Sequence, residues 1–315
     1  MIALRRLGWV ALVLAFGQIV FGAIVRITGS GMGCGDSWPR CAGQWMPPLE
    51  RADLIIEVTH RYIAAALTLV IVALTATAFV RRRQAGVDGP GGVLRPTLLA
   101  AMLVVVAALF GAATVKLELT NKGVIVTHLA IAMTLLAVLL LVMVRTYGPA
   151  PRTGNVSTRT LRSAYAAGGL VFLTLVLGAL TAHIPGANVA CGGFPLCNGS
   201  FFPAASIQHV QYAHRVLATL VLLHTVGLVI AVTRRQELPV LLPARLTLSA
   251  IGAQIVVAAL LVEQNLPLIL RSLHEAIGTL IWLLVAWLAI AARRHVALAS
   301  DVPALAVGST QQARA

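Results

Sequence analysis

Charge is what this sequence lacks. Only 11% of its 315 residues are charged, and only ten are acidic. A soluble domain of this length needs far more charge to cover its surface, so a soluble globular fold is excluded. Close-set cysteine pairs of the kind that bind structural zinc are missing too. The four cysteines, Cys34, Cys41, Cys191 and Cys197, form two pairs seven and six positions apart. The first apolar run has no small-residue cleavage site and continues into Arg26, so it reads as a span and not as a signal peptide. Paired spans interrupted by glycine and proline are not evident, which argues against a transporter.

What is present is apolar length. Hydrophobic residues make up 59% of the chain, with a mean hydropathy of +0.90. Several runs reach about 20 residues, enough to cross a hydrocarbon layer roughly 30 Å thick. The predicted spans are Leu7–Ile27, Ile56–Val80, Thr97–Val115, Val124–Val144, Ala164–Ala182, Ile207–Val232, Leu246–Val262 and Ser272–Ala292. The fold class is therefore an all-α integral membrane protein of eight transmembrane helices.

The net charge of +14 would suit nucleic acid, but its distribution does not. Arginines cluster between alternate spans, at Arg5-Arg6, Arg81–Arg83, Arg234-Arg235 and Arg293-Arg294. That is the positive-inside pattern, which orients helices. It puts both termini in the cytoplasm and the protein in the plasma membrane as a multi-pass chain, with no nucleic-acid partner. Most of the acids, including Glu57, Glu118, Glu263 and Glu275, fall at outer helix ends.

The two halves of the chain repeat one another. Residues 1–145 form one four-helix half, 146–162 a cytoplasmic linker rich in Pro, Gly, Ser and Thr, 163–295 a second half, and 296–315 a disordered tail. Each half has a Gly-rich outer loop with two cysteines, then a helix opening on His-Arg (His60-Arg61, His214-Arg215), then a later helix with a histidine near its start (His128, His274). Cys41 lies 19 positions before His60, and Cys197 lies 17 before His214. His128 follows His60 by 68, and His274 follows His214 by 60. Two pseudo-symmetric four-helix bundles explain this order; hydrophobicity does not.

The four histidines open even-numbered helices from the outer side, roughly 5–10 Å below the surface. Two imidazoles at matching depth in one bundle can hold a haem iron between them. A single intramembrane histidine is equally well explained by a hydrogen bond to a neighbouring helix; the duplicated set favours a cofactor. His183, His209, His224 and His295 lack repeat partners and are read as structural. Arg61 and Arg215 could contact haem propionates, or snorkel to lipid headgroups. Glu57 shares a helix face with His60 but is replaced by Gln211 in the second half, so the first half is the better candidate for chemistry. Its alternative is an interfacial ion pair with Arg61 or Arg26. An oxidising outer face would favour disulfides within each loop. Cys191–Cys197 reads as a structural staple; Cys34–Cys41 is either structural or redox-active.

Taken together, the Gly29–Cys41 stretch, Glu57-x-x-His60-Arg61 and the duplicated histidines resemble haem A synthases across all eight spans. The resemblance implies an oxidoreductase that converts a ring methyl of haem O to a formyl group, giving haem A for terminal cytochrome oxidases. It implies that His60 and His128 bracket the substrate haem, that His214 and His274 ligate the iron of a haem B cofactor, and that Glu57 is either the catalytic acid/base or the group stabilising positive charge at the methyl carbon. It also implies that Cys34 and Cys41 are a functional, disulfide-forming pair. Partners would be haem O, the haem O-producing enzyme, an electron acceptor and the bilayer, with both haem sites toward the outer face. Two readings compete: a quinone-linked disulfide oxidoreductase, which leaves the histidines unexplained, and a di-haem electron-transfer cytochrome.

Overall fold

The computed structural model describes residues 1–35, 40–148 and 156–296. The tail from 297, the middle of the linker (149–155) and the 36–39 part of the first outer loop lie outside the described residues. The described residues form eight helices long and apolar enough to cross a membrane, and no strand ladder. They are α1 (Ile2–Ile27), α2 (Ala52–Val80), α3 (Leu94–Lys116), α4 (Lys122–Arg145), α5 (Thr158–His183), α6 (Ser206–Arg234), α7 (Leu238–Glu263) and α8 (Leu268–His295).

Every helix contains its predicted span and runs beyond it, because the polar ends outside the hydrocarbon layer can still form helix. Caps and prolines set the starts. Asn121 accepts from the Val124 amide at 3.1 Å to open α4. Ser157 accepts from the Thr160 amide at 3.2 Å, so α5 begins inside the segment read as linker. The largest difference is α7, which starts eight residues before its predicted span. Pro239 sits in its first turn, where no intrahelical N–H is needed, and Pro243 is buried within it.

The helices of the first half close a ring of neighbours: α1 against α2, α2 against α3, α3 against α4 and α4 against α1. The second half closes the same ring with α5, α6, α7 and α8. The halves meet through α1 and α4 on α8, and α4 on α5. Trp282 of α8 donates its indole N–H to the Met133 carbonyl of α4 at 2.7 Å, and its ring meets Phe172 of α5 at 5.4 Å.

Arginines at the linker-bearing end serve its helix ends. Arg145 donates to the Gly92 carbonyl at 2.8 Å, Arg5 to Thr146 at 3.2 Å, and Arg294 to Val144 at 3.2 Å and to Gly148. These carbonyls include C-terminal groups that have no partner within their helix.

Apolar packing is concentrated toward this linker end. The first-half core gathers Leu4, Ile71, Leu74, Leu136 and Leu139; the second gathers Leu228, Val232, Val240 and Leu288, continuing through Val171, Ile251 and Val285. At the other end, which carries the cysteine loops, the buried apolar residues form only a small cluster of Cys34, Cys41, Leu54 and Val58. The histidines lie between these zones, each half-buried.

Candidate functional site

All four repeated histidines sit on the even-numbered helices near the loop-bearing end, and three of them press against a glycine on the preceding helix. A β-carbon at Gly22 would lie 3.1 Å from Nε2 of His60, one at Gly111 3.2 Å from Cε1 of His128, and one at Gly178 3.0 Å from Cε1 of His214. A methyl group at these positions would force the ring to move, so the glycines let helix and imidazole approach. His274 has a different neighbour: Gln254 of α7 donates to its backbone carbonyl at 2.9 Å. Gln18 of α1 makes the corresponding bond to the His60 carbonyl at 3.1 Å.

The second half brings its two imidazoles face to edge, with centroids 6.4 Å apart and planes inclined by 67°. Nδ1 of His214 lies 3.0 Å from the Thr174 carbonyl, a bond that, made by Nδ1–H, leaves Nε2 as the nitrogen with a free lone pair. Among the described residues Nδ1 of His274 is buried without a hydrogen-bond partner. In the first half His60 stacks instead on Phe21, at 6.4 Å and 14°.

Both cysteine pairs are disulfides, each with Cα atoms 4.5 Å apart. Each folds its loop so that the first cysteine's backbone amide points at the following helix. The Cys34 amide donates to Oε2 of Glu57 at 2.8 Å, and the Cys191 amide to Oε1 of Gln211 at 2.8 Å. Glu57 and Gln211 are both buried, at 3% and 6% exposure. The arginines differ. Arg61 donates to Oε1 of Glu57 at 2.5 Å and to the Arg40 carbonyl at 3.1 Å. Arg215 reaches past Gln211 to the carbonyls of Cys191, Gly193, Pro195 and Leu196 at 2.7–3.3 Å. Both arginines thus clamp loops, which the sequence did not suggest.

Glu57 pairs with Arg61, while Arg26 pairs with Glu275 at 2.6 Å, joining α1 to α8. Of the other histidines, His183 and His209 bond within their own helices, to the Ala179 carbonyl at 2.8 Å and the Ala205 carbonyl at 3.0 Å, while His224 of α6 bonds the Ser163 carbonyl of α5 at 3.0 Å. Sequence reasoning missed the three glycines, Gln18 and Gln254, because nothing in their local sequence marks the helix they face.

The histidine pairs suit a haem better than a bare metal ion. Among the described residues no three metal-ligating side chains gather. A haem iron takes four ligands from the porphyrin and needs only two from the protein. With metal–imidazole bonds of about 2 Å, two axial rings have centroids roughly 6 Å apart. The His214–His274 separation of 6.4 Å fits that spacing.

Comparison with known proteins agrees with the motifs. The family model for COX15-CtaA, described as cytochrome oxidase assembly protein, matches residues 5–286. The chain is 30% identical over 299 residues to a protein named haem A synthase from Geobacillus thermodenitrificans, covering 90% of each. It is 32% identical over 216 residues to one so named from Alkalihalophilus pseudofirmus, covering 66% of this chain and 69% of the relative. A third, from Listeria welshimeri, is 29% identical over 288 residues, with 88% and 91% covered. A match of that extent, on a chain with these spans, histidines and disulfides, means that the protein belongs to the COX15-CtaA family of cytochrome oxidase assembly proteins.

Proposed function

We propose that this chain is a haem A synthase, a multi-pass membrane oxidoreductase that converts a ring methyl of haem O to the formyl group of haem A. The family match over nearly the whole chain carries the reaction. The assignment of residues within it rests on the asymmetry between the halves. The second half, with paired imidazoles at the spacing of one iron, suits a resident haem B ligated by His214 and His274. The first half, where His60 stacks on Phe21, suits a haem that enters as substrate and leaves as product, bracketed by His60 and His128.

Bound haem B supplies a one-electron carrier. The chain's own contribution is orientation and fixed charge. Glu57 is one helical turn from His60, and both its oxygens accept hydrogen bonds, from Cys34 and Arg61. Of its two expected roles, acid/base or charge partner, this arrangement favours the second: a carboxylate held in place to meet positive charge developing at the methyl carbon. Two axial histidines leave no position for oxygen on the substrate iron. Oxidation is therefore assigned to the porphyrin edge: for each hydroxylation two electrons pass stepwise to the electron acceptor, water is captured at the methyl carbon, and the two protons released go to solvent at the loop-bearing end. A second hydroxylation and loss of water give the formyl group. Haem O, an electron acceptor and the haem O-producing enzyme are the partners, and the loop-bearing end faces outward from the plasma membrane. Arg61 and Arg215 then cap the two sites from outside.

The test is a reduced-minus-oxidised spectrum with haem extraction, on wild type and on His214→Ala with His274→Ala. Haem B lost from the double variant, with haem O or haem A in the wild type, is the expected result. A well-folded wild type without haem would instead favour the disulfide oxidoreductase. Oxygen from labelled water absent from early hydroxylated product would rule out the water-capture route.

A further inference from the structure

The arginines that follow histidine in the sequence are held by the outer loops and by Glu57. Arg215 directs its guanidinium at four loop carbonyls, and Arg61 is engaged by Glu57 and Arg40. A different set gathers where the ends of α1, α4, α5 and α8 meet. Arg26, in the last turn of α1, donates to Glu275 at 2.6 Å. Arg271 of α8 lies one helical turn before Glu275 on the same face, and its side chain donates no hydrogen bond among the described residues. Lys122, the first residue of α4, and His183, the last of α5, stand at the same loop-bearing end.

This cluster adjoins the histidine pair. Glu275, which holds Arg26 at 2.6 Å, is the residue directly after His274 on α8. Arg271 precedes His274 by three positions, so it shares that face of α8 and lies about 4.5 Å nearer the loop-bearing end. Arg26 and Arg271 lie beside the single carboxylate of Glu275, two cations to one anion. A haem carries two carboxylates on one edge of an otherwise apolar ring. With the ring in the bundle, those carboxylates need cations at its mouth.

We propose that Arg271 and Arg26 bind the propionates of the haem held between His214 and His274, with Lys122 adding to the field and Glu275 holding Arg26 in position. The proposal rests on the haem B reading above. It moves the propionate contact away from Arg215, whose place is in the loop.

The test uses full-length protein purified with its haem, as Arg271→Gln, Arg271→Lys, Arg26→Gln and Arg215→Gln. Haem B content, reduction midpoint and the propionate bending bands in resonance Raman are read on each. Removing a cation beside the haem favours its oxidised form, so both Gln variants at Arg271 and Arg26 should have a lower midpoint and displaced propionate bands. Arg271→Lys should keep most of the wild-type signature, and Arg215→Gln should leave the bands in place. Arg271 has no observed ion-pair geometry to lose, so its variants remain decisive if Arg26→Gln folds poorly. Haem-loaded Arg271→Gln with unmoved bands overturns this assignment alone, as it would if the cluster held lipid phosphate. A wild type without haem B overturns the haem reading and this assignment with it.

Discussion

Glu57 and Gln211 accept the same bond: each takes the backbone amide of the first cysteine in its loop, at 2.8 Å in both halves. Gln211 therefore shows that an amide can hold the loop as a carboxylate does. What Glu57 adds is charge.

Glu57→Gln should accordingly keep the fold and lose the reaction. Its amide oxygen can still accept from Cys34, and weakening the bond to Arg61 should cost about 1–2 kcal/mol. Haem A yield should fall at least about 100-fold, the usual scale for losing a positioned catalytic group. Extracted haems and a thermal melt check this; undiminished haem A would remove Glu57 from the chemistry.

Gly178→Ala should displace His214, because the new methyl would sit 3.0 Å from its ring. Overpacking of this kind costs roughly 1–3 kcal/mol. Haem B content should drop and the axial-ligand signals in electron paramagnetic resonance should shift. Gly169→Ala on the same helix meets nothing within 4 Å and should be neutral or stabilising. Equal haem loss in both would show that helix propensity, and not contact with the imidazole, matters.

The two disulfides should fail in different ways. Each closes a short loop, and losing either should cost roughly 2 kcal/mol. Replacing Cys34 and Cys41 by serine frees the amide that holds Glu57, so conversion should fall while haem B stays bound. Replacing Cys191 and Cys197 frees the loop around Gln211, so haem B retention should fall first. Conversion assays paired with haem quantification separate the two; identical phenotypes would mean that both loops serve only stability.

Trp282→Phe removes the indole bond to Met133 but keeps an aromatic ring beside Phe172. The expected loss is about 1 kcal/mol in a thermal melt, with an unchanged haem spectrum. A changed spectrum would mean that this contact between halves reaches the haem sites.

Much of this arrangement is legible in the sequence because it is local or repeated. The eight spans follow from apolar length, and the histidines, His-Arg steps and cysteine loops recur at matched spacing. What was not legible depends on distant partners. Arg26 and Glu275 are 249 positions apart, and nothing local distinguishes Arg26 from any arginine ending a span. Gly111 and Gly178 look like ordinary membrane-helix glycines until the facing imidazole is known. The early start of α7 was hidden by Pro239 and Pro243, which read as a loop but sit in its opening turns. The role of Arg215 was hidden because a loop carbonyl leaves no trace in side-chain identity.

α8 is tied to the first half along its whole length: Glu275 to Arg26 near one end, Trp282 to Met133 midway, and Arg294 to Val144 at the other. It also carries His274. If His274 ligates the haem iron as proposed, the helix is both a hinge pin and a ligand arm, and the two duties cannot vary separately. A substitution that tilts α8 to improve one bundle will retune the other's iron and the gap between them together. The two halves should therefore resist being exchanged between relatives one at a time, and a working chimera should need its α8, α1 and α4 from a single parent.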